Sequence, residues 1–144
     1  MLEDRVELPR VYMAWHSPAM FTPGDAEMDL VGDLLGNGKT SRLYRTLVYE
    51  RRLALDVSAH QSSRELGSVF LLMATVAPGR SPGDIAAVVD DELQRLVDTG
   101  PSGDELERAQ AQVEAHFMYR LQTVGGFGGK ADQLNAYNVL RGDP

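Results

Sequence analysis

The 144-residue sequence contains no cysteine. A disulfide framework and a thiolate metal site are therefore both excluded. No apolar run approaches the ~18–20 residues that a membrane-spanning helix needs, and the start, Met1-Leu-Glu-Asp-Arg5, has none of the features of a signal peptide. The chain as read is expected to be soluble. Positive charge is also scarce, with 14 Lys and Arg against 21 Asp and Glu and a formal charge of −7. The single basic cluster, Arg42, Arg45, Arg51 and Arg52, is short and interleaved with apolar residues. Nucleic acid is thus not a partner that this balance favours. No repeat and no low-complexity stretch is present.

Several sites fail on their spacing. Gly38-Lys39-Thr40 lacks the glycine five positions earlier that a phosphate loop requires, because Asp33 stands there, and the preceding element reads as a helix rather than a strand. The three histidines, His16, His60 and His116, include no pair at helical i, i+4 spacing. Glu114 and His116 are two apart and diverge around a helix. No Gly-x-Ser-x-Gly elbow occurs. The acidic runs Asp90-Asp91-Glu92 and Asp104-Glu105-Glu107 read as solvated helix faces. Arg141-Gly142-Asp143 is too short a string to carry an adhesion function.

What is present is an ordered set of elements. Residues 1–10 are charged and irregular, as a linker would be, and Val11–Trp15 is a β-prone run stopped by His16-Ser17-Pro18. Thr22 as cap with Pro23 and Asp25 after it opens a helix whose Met28, Val31, Leu34 and Leu35 keep a 3.6-residue spacing until Gly36. After the glycine loop, Ser41 caps a basic amphipathic helix, Arg42 to about Arg52, with Leu43, Leu47 and Val48 inward. The alternating Leu53, Leu55, Val57 and Ala59 then predict a strand to Gln61. Ser62-Ser63-Arg64-Glu65 turns the chain into a second strand, residues 67–76, forming an antiparallel hairpin. Its unbroken Val69-Phe70-Leu71-Leu72-Met73 leaves two readings open, a strand covered on both faces or a pattern coarser than period two.

Ser81 and Pro82 start a helix to about Asp98, with Ile85, Val88, Val89, Leu93, Leu96 and Val97 on one face. Gly100-Pro101 ends it, and Ser102-x-x-Glu105 is a capping box for a third helix with Leu106, Ala109, Val113, Phe117 and Leu121 as its buried stripe. Four glycines among residues 125–129 break that helix, and a last one is predicted over about 130–140. One antiparallel-rich sheet with helices on one face, an α+β domain over residues 1–144, fits this order.

The stretch Leu35 to Ala59, the hairpin, the Ala77-Pro78-Gly79 turn, the Ser102 capping box and the run holding Gly128, Gly129, Leu134 and Tyr137 together resemble the second, non-zinc domain of the pitrilysin/insulinase zinc peptidases. That group includes the mitochondrial processing peptidases. The resemblance implies a fragment of a longer multi-domain chain that encloses unfolded peptide in a chamber. Zinc and its His-x-x-Glu-His helix would be carried by a partner domain or subunit of the same family, with no cofactor in this chain. It further implies Gly36, Gly38, Gly128, Gly129 and Tyr137 as chamber candidates, and homo-oligomers as a possibility. The family's substrate-binding Arg and Tyr fall on Val48 and Leu55, neither of which can donate a hydrogen bond. Arg45 and Tyr49, one helical turn apart, are the alternative displaced pair. Two other readings stay open beside a non-catalytic peptidase domain: a wholly inactive scaffold and a nucleotide-binding domain.

Overall fold

The structure is a computed structural model in which residues 7–143 are described. Its elements are β1 (Arg10–Ser17), α1 (Asp25–Gly36), a π-helical segment (Tyr44–Glu50), β2 (Ala54–Ser62), β3 (Ser68–Val76), α2 (Pro82–Thr99), α3 (Gly103–Leu121) and α4 (Lys130–Arg141). The three strands form one antiparallel sheet in the order β1-β3-β2. Helices cover one of its faces.

The central position of β3 resolves its unbroken apolar run. Ser68, Phe70, Leu72, Ala74 and Val76 are buried on the helix-covered face, while Val69, Leu71 and Met73 on the other face are only partly buried. Cross-strand neighbours supply the rest of the cover on that second face, with Tyr12 and Ser58 beside Met73, and Ala14 and His60 beside Leu71. β3 is thus apolar on both faces because it has a strand on each side, although a helical layer lies over one face alone.

The core joins Leu35, Leu43, Leu47, Val57, Leu72, Val76, Ile85 and Val89 into one cluster. Gly36 sets how closely α1 lies on β2. A Cβ there would land on the backbone of Ser58 and Ala59, which no rotamer change could relieve. Gly36 is therefore required by close packing rather than by its role as a helix stop alone.

Four expectations need correction. Thr22 does not cap α1: its hydroxyl donates to the Ala19 carbonyl, and the helix begins after Gly24, which has φ +94°. Asp25 instead reaches back and accepts from the Phe21 amide at 2.8 Å. Ser41 does stand at the helix start, its carbonyl accepting from the Arg45 amide at 3.0 Å, but its hydroxyl donates to Gly38 O at 2.8 Å rather than capping, and the helix beyond Leu43 winds as a π-helix. That wider turn keeps Leu43 and Leu47 buried and Val48 partly so, with Arg45, Tyr49 and Glu50 outside. The alternation through Leu55 fails because the β2–β3 register slips between Ala54 and Asp56, leaving Leu55 as an extra residue that is 51% exposed. The carboxylate of Asp56 takes up the slack by accepting from the Thr75 amide at 3.2 Å. Finally, the α2 and α3 stripes are less covered than their periodicity predicts. Val97 is 80% exposed, Ala109 is the buried member of the α3 set, and α4 has no buried residue.

The Ser81 cap and the Ser102–Glu105 capping box form as expected, the latter with both reciprocal bonds in place. Gly36→Ala is expected to lower unfolding free energy by about 3 kcal/mol, since the clash is with backbone. A urea melt giving less than about 1 kcal/mol would show that α1 can retreat from β2 at little cost.

Candidate functional site

Two polar clusters stand out. The first is built on Arg42, which sits between three helices. Its Nε and Nη2 each donate at 2.8 Å to the two carboxylate oxygens of Glu105, and Nη2 also donates to the Gly100 carbonyl at 3.0 Å. Nη1 lies 3.6 Å from Glu92, whose other oxygen meets Arg95 at 3.0 Å. Glu92 is only 4% exposed. The two acidic runs are therefore not simple solvated faces, because Glu92 and Glu105 turn inward onto one guanidinium. Sequence periodicity missed this, as the partners are 50 and 63 residues away from Arg42 in the chain. The fork geometry matches a bidentate Arg–carboxylate pair. It holds the Glu105 carboxyl down to about 2 from an ordinary 4.5, through the Arg42 hydrogen bond first, against the opposing effect of burial.

The second cluster is a cleft of about 410 Å³ between α1, β2 and α3, lined by Asp29, Asp33, His60, Gln61, His116 and Arg120 among others. Two of the three histidines thus share a cleft although they are remote in sequence. Gln61 is held by donating to Asp25 Oδ1 at 2.6 Å and to the Asp25 carbonyl at 3.2 Å. Among the described residues no group of three His, Asp or Glu side chains could hold a metal ion. His16 lies on β1, outside this cleft.

The positions singled out from the sequence fall in separate places. Gly36 ends α1 in close contact with β2, and Gly38 makes the following turn at φ +79°. Gly128 and Gly129 belong to the α3–α4 connection, where Gly128 has φ +76° and its amide donates to Asp132 at 2.8 Å. Tyr137 packs against Phe21 with ring centroids 4.7 Å apart and the rings tilted by 48°. Val48 packs against the core from the π-helical segment, and Leu55 stands on the β2 bulge. Between them the chain reverses through Arg52, which takes φ +51°, a conformation that costs a non-glycine residue roughly 1–2 kcal/mol. Arg45, of the displaced pair, is tied to Glu50 at 3.0 Å, and Tyr49 is 77% exposed.

The two-layer α+β unit, a three-stranded antiparallel sheet with helices over it, is the architecture that the sequence resemblance implies. The Peptidase M16 inactive domain family matches residues 1–113, and the chain belongs to that family as an inactive-domain member. It is similar to zinc protease PqqE of Helicobacter pylori, 27% identical over 144 residues, which cover 97% of this chain and 32% of that protein. A Helicobacter pylori protease structure superposes with a TM-score of 0.82 at 26% identity, over 98% of this chain and 33% of that one. An inactive peptidase domain from Bordetella parapertussis shares the fold, with a TM-score of 0.80 at 24% identity, over 99% of this chain and 75% of that one. The chain therefore spans about a third of the curated relative it matches along nearly all its length.

Acid should weaken the Arg42 cluster in a defined window. The Glu105 carboxyl ionises more easily folded than unfolded, so its contribution is complete above the unfolded value near 4.5 and is lost as pH falls towards about 2. Glu105→Gln should flatten that part of the stability–pH curve. Arg42→Met should cost at least about 2 kcal/mol, because buried Glu92 loses a counter-charge. Chemical denaturation of both variants between pH 2 and 7 checks these outcomes, and a Glu105→Gln curve parallel to wild type would contradict the assignment.

Proposed function

We propose that this domain serves as a non-catalytic wall of a peptide-enclosing chamber, packed against a zinc-bearing domain or subunit of the same family. The observation that carries the reading is the pair Val48 and Leu55, apolar side chains at the two positions where the family resemblance implies a hydrogen-bonding Arg and Tyr. Loss of one donor to a developing oxyanion typically costs about 2.7–4 kcal/mol of transition-state stabilisation. Direct assistance to catalysis from this copy is thus absent in this reading, and the likeness to processing peptidases and the unfolded-peptide substrate belong to the same reading. Support for packing against another domain comes from exposed apolar residues on α3, the α3–α4 connection and α4. Met118 is 62% exposed, Val124 75%, Val139 68%, and Phe127 is fully exposed. In this reading a partner surface covers these exposed side chains.

A second reading, favoured by the same two apolar substitutions, is a scaffold in a family member without peptidase activity. The zinc content of the parent protein separates the two. Purified alone, this chain is expected to hold no stoichiometric zinc and to cleave no peptide, which metal analysis and a fluorogenic peptide assay check. In a zinc-loaded parent, Val48→Arg with Leu55→Tyr should raise kcat/KM. Unchanged turnover there would place the domain away from the chamber mouth and favour the scaffold.

A further inference from the structure

The cleft between α1, β2 and α3 has a charge arrangement that neither the core packing nor the proposed chamber role uses. Asp25, Asp29 and Asp33 repeat at i, i+4 and i+8 along α1, a like-charge spacing that works against the helix unless each carboxylate is offset. The outer two are. Asp25 accepts from the Phe21 amide, from Gln61 Nε2 at 2.6 Å and from the Ser63 hydroxyl at 2.5 Å. Asp33 accepts from Asn37 Nδ2. Asp29, between them, stands exposed on the cleft wall with no hydrogen-bond or ion-pair partner among the described residues. Desolvation there, then the charge of Asp25, raises its carboxyl above the ordinary range. Arg120 on α3 lines the same cleft and acts on Asp29 as an opposing charge, yet no ion pair closes between them.

A positive and a negative group on different helices, both lining one open cleft with no ion pair between them, leave room for a ligand carrying the opposite pair. We propose that this cleft binds a small zwitterion, an amino acid or a dipeptide, with its ammonium on Asp29 and its carboxylate on Arg120. His116 stands one helical turn before Arg120 on α3 and lines the same wall, where it adds a second donor for the carboxylate. Asp33 adds an acceptor for the ammonium on the α1 side, and His60 with Ala59 forms the β2 wall. The volume, about 410 Å³, lies in the range of small-molecule sites. Both ends of the ligand are required, because either charge alone would leave one wall uncompensated. This assignment does not depend on the chamber reading, and its test needs no zinc-bearing partner.

The test is an NMR titration of the purified chain with glycyl-leucine, following the imidazole signals of His116 and the Arg120 Nε–H. Saturable shifts confined to these groups are expected, with a dissociation constant of about 1 mM. N-acetyl-glycyl-leucine, which lacks the ammonium, and glycyl-leucinamide, which lacks the carboxylate, should each bind about tenfold more weakly, as should glycyl-leucine to Asp29→Asn or Arg120→Gln. Non-saturating or scattered shifts would overturn the site. Equal binding of glycyl-leucinamide would overturn the zwitterion in favour of a simple cation. The blocked ligands are compared on unaltered protein, so this outcome does not hang on whether either variant folds.

Discussion

One guanidinium ties the helical layer together. Arg42 leaves the chain just after the glycine loop, fills both oxygens of Glu105, takes the carbonyl at the end of α2, and partly offsets the buried charge of Glu92. Those bonds fix where α2 stops, where α3 starts, and how both stand relative to the π-helical segment. The Glu105 carboxylate also closes the capping box through the Ser102 amide at 2.9 Å, so one side chain serves a local cap and a tertiary clasp at once. A lysine could not replace this arrangement, since a point charge cannot present two parallel donors to one carboxylate while holding a carbonyl.

The same segment carries the strongest departures from regular backbone. A π-helical turn, a non-glycine residue at positive φ and a β-bulge follow one another between Tyr44 and Asp56. Such features cluster at functional sites because they aim side chains that ideal elements would not. Here they place Val48 and Leu55 at either end of a tight reversal. The side chains that the irregular backbone carries at those two positions are apolar.

The element order, the hairpin, the Ser81 and Ser102 caps and the one-sided α+β layering were legible because each rests on local spacing: period two in the strands, 3.6 in the helices, and cap residues at fixed offsets. Leu55 was misread because a register slip cannot be seen in one strand alone; it exists only relative to β3. Glu92 and Glu105 were misread because a buried charge needs a distant partner, and helical spacing reports only near neighbours. The α3 stripe was read as covered because amphipathicity shows that a face is suited to burial, whether or not this chain supplies the cover. The aspartate stripe on α1 was not singled out in the sequence, because its meaning depends on Gln61, Ser63 and Arg120 arriving from elsewhere.

The strand order β1-β3-β2 carries a consequence for how the molecule comes into being. β2 and β3 meet through a short loop, whereas β1 must reach across some fifty residues to dock on β3. Closing so wide a loop is the entropically slow event, and it cannot begin until β3 exists. During synthesis at about 5–20 residues per second, the first of these three strands to leave the ribosome therefore waits several seconds for its neighbour. The sheet is completed from its newest strand back towards its oldest.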